Sequence, residues 1–106
     1  MKLTKKQLEQ IGFKIITLSG GAKVIWLNTF DVDNPYIFRT RALSEKTLIK
    51  RTNEWLNEQI WYSEGIEFTF AKALAYLEEW PNAIFTSESG LKISYNVQSE
   101  ELYRVK

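Results

Sequence analysis

No histidine and no cysteine occur among the 106 residues, and these two absences exclude more than any motif present adds. Without histidine the chain lacks the side chain that titrates near neutral pH and the commonest metal ligand. Without either residue, Ser-His-Asp and Cys-His nucleophile arrangements cannot be built. The missing cysteine also excludes a disulfide framework and a thiolate zinc site. Apolar runs of bilayer-spanning length are absent as well, and Met1 to Phe13 is too poor in apolar residues for a secretory signal. The expected location is cytoplasmic, with no membrane partner.

What is present is the composition of an ordinary folded domain, 44% hydrophobic and 25% charged with a net charge of +1. At this length one domain, residues 1–106, is expected to bury about two-thirds of its unfolded surface without staples.

The chain is organised around Ser44 to Trp80. Ser44 is a hydroxyl N-cap before a first turn that carries Glu45. Leu48, Thr52, Trp55, Leu56 and Gln59 then fall on one helix face, widened by Ile49 and Ile60. Lys46, Lys50, Asn53, Glu54, Asn57 and Glu58 take the opposite side. The pattern predicts a helix over about Glu45 to Ile60. A second runs from about Thr69 to Trp80, with Phe70, Ala73, Leu74 and Leu77 on one face and Pro81 forbidding continuation. Its start is ambiguous, because Ile66, Phe68 and Phe70 alternate as a strand would.

Ahead of this stretch, Thr4-Lys5-Lys6-Gln7 has the form of a capping box for a short helix, Lys5 to Gln10. Phe13 to Leu18 and Lys23 to Phe30 read as strands joined by a tight turn at Ser19-Gly20-Gly21. That turn has neither the glycine spacing nor the following helix of a phosphate loop. Tyr36 to Arg41 reads as a third strand. After the helices, Ala83 to Thr86 and Leu91 to Val97 form a hairpin, and Glu101 to Val105 adds a strand or an edge. Segregated runs of this kind indicate α+β: an antiparallel sheet of about five strands, two main helices on one face, and the short N-terminal helix.

Carboxylates are the remaining acid–base option. Asp31 and Asp33 stand two apart, but they lack the glycine and distal glutamate of a calcium loop and are expected to build a turn before Pro35. No catalytic residue, metal site or cofactor is assigned.

Charge carries more information. Met1 to Thr52 holds ten lysines and arginines against four acids, whereas Asn53 to Lys106 holds four against nine. The densest basic part is Arg39, Arg41, Lys46, Lys50 and Arg51, a group suited to phosphates or acidic side chains. The competing reading is a solvated face balanced by Glu54 and Glu58. Trp61 has two readings as well. If the first long helix reaches it, the ring falls on the polar side and makes an interface anchor. If the helix ends near Ile60, the ring turns inward.

The opening Leu3-Thr4-Lys5-Lys6-Gln7-Leu8-Glu9-Gln10-Ile11-Gly12-Phe13 resembles the starts of small accessory proteins carried by bacterial prophages and mobile elements. That resemblance implies a setting in which products of this size include anti-CRISPR-type inhibitors of host defence. The expected function is non-enzymatic: docking on a bacterial protein or protein–RNA complex through Arg39, Arg41, Lys46, Lys50, Arg51 and Trp61. The alternative is direct binding of RNA or DNA through the basic cluster. No RNP-type run, zinc knuckle or helix-turn-helix supports that alternative.

Overall fold

Three capped helices punctuate eight strands in the computed structural model, which describes residues 2–29 and 36–105. Asp31 and Asp33, expected in a turn, lie outside the described residues. In order, the elements are α1 (Lys5–Gln10), β1 (Lys14–Thr17), β2 (Lys23–Thr29), β3 (Tyr36–Ala42), α2 (Glu45–Glu58), β4 (Trp61–Ser63), β5 (Ile66–Phe68), α3 (Phe70–Glu79), β6 (Phe85–Ser87), β7 (Lys92–Asn96) and β8 (Glu101–Arg104).

The helix starts follow from their caps. Thr4 and Gln7 form the reciprocal capping box of α1, Ser44 Oγ accepts from Thr47 N–H at 3.2 Å, and Thr69 Oγ1 accepts from Lys72 N–H at 3.2 Å. Each side-chain oxygen satisfies an amide that has no partner within its own helix.

The α+β class is as the sequence indicates, but the strands form two antiparallel sheets instead of one. β1-β2-β3 is a three-stranded meander, and β5-β4-β6-β7-β8 is a second sheet of five. The second sheet gains its first two strands from a hairpin at Glu64-Gly65. Both residues take positive φ, 51° and 78°, the pair of values a type I′ turn requires. This hairpin also settles where α3 begins: Ile66 and Phe68 belong to a strand, and the helix starts at Phe70.

One core runs between the sheets and helices. α2 lies on the first sheet, where the Trp55 ring meets Phe38 at 4.4 Å and Phe13 at 6.2 Å. α3 packs against β5 and β7, with Phe70 stacked beside Trp61 at 5.1 Å. Asn53, expected on the polar side of α2, is buried at 4% exposure. It is drawn in because the segment before α1 crosses that side of the helix and needs its amide.

Arg104 joins the sheets. Its Nη2 donates to the carbonyl of Asn28, on the stretch of β2 that extends past its pairing with β1. Gly12 makes room for this contact. It holds φ at +107°, and a Cβ there would meet Leu27 Cδ1 at 3.0 Å and the Arg104 side chain at 3.1 Å.

Candidate functional site

The sequence placed five cations and one tryptophan in a single partner-binding group. The structure does not bring them together. Arg39 and Arg41 pair across β2 with Trp26 and Val24. They therefore share the sheet face that also carries Lys14 and Ile16, by the alternation of side chains along a strand. α2 packs on the other face, against Phe38. Lys46 and Lys50 are exposed on the side of α2 turned away from the sheet, so the two halves of the basic group stand on opposite sides of a sheet–helix layer. Arg51 lies between them, and its Nη1 donates to Arg41 O at 2.8 Å. It thus covers an open carbonyl on the edge of β3.

Trp61 corrects the sequence reading. It is 0% exposed, because α2 ends at Glu58 and Gln59 turns extended, with ψ at 152°. Trp61 then opens β4, paired with Phe68 and Ser87. Its indole N–H donates to Leu56 O at 3.1 Å, which satisfies the polar atom of a buried ring. It is a core residue and no interface anchor.

A different tryptophan is exposed. Trp80, 59% exposed, follows α3 directly, with Tyr76 one turn earlier at a ring separation of 6.4 Å. Tyr76 lines a groove with Ile66, Phe68, Ala83 and Ile84. Ile66 is 60% exposed and Ile84 47%. The four exposed side chains lie near one another at the β4–β5 turn end of the second sheet, where Ile66 of the edge strand β5 and Ile84 share the groove with Tyr76, and Trp80 adjoins Tyr76. The loop holding Trp80 and Ile84 in place is fixed by buried Ser94, whose hydroxyl lies 3.1 Å from Pro81 O and 2.8 Å from Ala83 O. Helix periodicity points to Phe70, Ala73, Leu74 and Leu77 and passes over this surface. The available signal was Trp80 itself, a large aromatic set between the last helical turn and a proline.

Among the described residues, no group of three or more acidic side chains is placed to hold a metal ion. No helix among them is long and apolar enough to cross a membrane. Glu45 is held below its ordinary value chiefly by the hydrogen bond from Lys5, which with the charges of Lys23 and Lys5 outweighs the opposing effect of desolvation. That is a structural ion cluster at the start of α2. Comparisons with protein-family models, with curated proteins and with solved structures find no match for this chain.

Proposed function

We propose that this chain is a non-enzymatic binding protein that docks on a bacterial protein or protein–RNA complex and modulates it. The observation that carries the reading is the exposed apolar surface of Ile66, Tyr76, Trp80 and Ile84, of which Ile66 stands on the edge strand β5. Apolar side chains exposed next to one another on a rigid element mark interaction surfaces, whereas scattered ones need no explanation. Tryptophan and tyrosine are the side chains that most often anchor such contacts. The free strand edge offers main-chain hydrogen bonds to an extended segment of the partner. The resemblance of residues 3–13 to accessory proteins of mobile elements supports a regulatory or inhibitory role.

One observation favours a second reading, direct contact with nucleic acid. Lys14, Trp26 and Arg39 stand in one cross-strand row on the outer face of the first sheet, with Arg41 nearby. Cations flanking an aromatic ring suit a single strand.

The two readings separate in a capture experiment from bacterial lysate, with and without nuclease, at low and high salt. The docking reading expects a defined protein partner retained after nuclease treatment. Trp80→Ala combined with Ile66→Ser should release it, and salt should act weakly because a desolvated aromatic contact is little screened. Loss of all retention with nuclease, a steep salt dependence and sensitivity to Arg39→Glu would replace that reading with the second.

A further inference from the structure

Between the two sheets lies a cleft of about 500 Å³, which shares no residue with the apolar surface. Lys14 and Trp26 line it from the first sheet, Lys92 and Arg104 from the second. Three cations thus line one cavity, and among the described residues no lining side chain is acidic. The ion pairs of the described residues, Lys5–Glu45, Lys23–Glu45 and Lys6–Glu101, include none of the three.

The cleft has a built floor. Arg104 is tethered through Nη2 to Asn28 O, and burial lowers its pKa from the ordinary value. A guanidinium partly withdrawn from water, with no ion pair among the described residues, is a charge open to an anion. Trp26 forms a wall under the Lys14 ammonium, which sits 5.7 Å from the ring centroid. Its indole Nε1–H is buried with no acceptor among the described residues. Gly12 also lines the cleft, and a Cβ there would collide with Arg104.

The charged side chains that line the cleft are thus all cations among the described residues, and the buried Trp26 N–H beside them is a donor without an acceptor there. A carboxylate would answer one such charge. A phosphate monoester carries about −1.5 to −2 near neutral pH and presents three strong acceptor oxygens, and the fork of an arginine suits those oxygens. The cavity falls in the range of about 300–1,000 Å³ typical of small-molecule sites, so there is room for an organic group on the ester, against Trp26 and Val105. We propose that this cleft binds a phosphate monoester, its phosphate held by Arg104, Lys14 and Lys92. The monoester has two possible sources, a free nucleotide-sized metabolite or the 5′-phosphate of an RNA strand.

The test is a titration of isotope-labelled protein followed by NMR. The probes are inorganic phosphate, adenosine 5′-monophosphate, adenosine, and one short RNA bearing either a 5′-phosphate or a 5′-hydroxyl. Adenosine monophosphate should move the amides of Gly12 and Gly90 and the Trp26 indole N–H, whereas adenosine should not. Lys14→Gln with Lys92→Gln changes two exposed side chains outside the core and should weaken binding at least tenfold with the spectrum otherwise preserved. Affinity should fall below about pH 6, as the monoester takes up its second proton. Tighter binding of the 5′-phosphorylated RNA than of the mononucleotide assigns the site to a strand end, and the reverse assigns it to a free metabolite. Shifts centred on Lys46 and Lys50, wild-type affinity in the double variant, or adenosine binding as tightly as adenosine monophosphate would overturn the proposal.

Discussion

The side-chain amide of Asn53 pairs with both backbone groups of Leu3, its Oδ1 accepting from the N–H at 2.7 Å and its Nδ2 donating to the carbonyl at 3.0 Å. A side chain here replaces a strand partner, because the segment before α1 has no strand beside it to supply these bonds. Both residues are buried, so water does not substitute. Asn53→Ala leaves two buried backbone groups without partners and should cost about 2–6 kcal/mol, at about 1–3 kcal/mol for each group. Chemical denaturation measures it, and a loss under about 0.5 kcal/mol would show that the segment simply lifts away.

Leu56 and Trp61 test the core position of the Trp61 ring. Leu56→Ala should cost about 2–5 kcal/mol and Trp61→Ala about 3–5 kcal/mol, since each empties a fully buried site. A Trp61→Ala protein of wild-type stability would mean that the ring is not enclosed between α3 and the second sheet.

Gly12→Ala combines backbone strain with a collision. The residue sits at a φ of +107°, and the new methyl meets Leu27 and Arg104 at about contact-breaking distance. Destabilisation by more than about 1 kcal/mol is expected, because the native conformation is incompatible with the new side chain. In the thermal melt the midpoint should fall, whereas Gly20→Ala, in open space, should move it much less.

Glu45 supplies the pH-dependent prediction. Lys5 Nζ lies 3.1 Å and Lys23 Nζ 3.5 Å from its Oε1, and the folded-state pKa is lowered. A carboxyl whose folded pKa is depressed stabilises fully above its unfolded pKa, and the contribution disappears as pH falls through the folded value. The stability gap between wild type and Glu45→Gln should therefore be open at neutral pH and closed in acid below the folded pKa. Because the group is exposed, added salt should narrow the gap as well. A gap that widens on acidification would contradict the assignment.

Much of this fold could be read locally. Thr4, Ser44 and Thr69 cap the three helices, and Ser19-Gly20-Gly21 marks the first hairpin, because caps and turns depend on a few adjacent residues. The β4–β5 hairpin was missed because Glu64 occupies the position where asparagine or aspartate usually announces such a turn. Trp61 was open to misreading because nothing in its vicinity marks the helix end at Glu58, whose cap is an ordinary glutamine. The basic group was dispersed by a relationship no local pattern contains: which face of β3 receives α2. The cleft is harder still to foresee, since Lys14, Trp26, Lys92 and Arg104 become neighbours only when the two sheets meet.

That meeting has a consequence for how the protein is made. α1 packs against β8, and Arg104 on β8 closes onto β2. On the ribosome, the first sheet and α2 can assemble from neighbouring segments while the last strand is still unsynthesised. The face of α1 that carries Leu8 would wait uncovered through that interval, and the overhanging end of β2 would wait with it. A nascent chain in that state presents both an apolar stripe and unpaired backbone, which chaperones recognise and aggregation exploits. Release of residues 101–104 is the event that removes both liabilities at once.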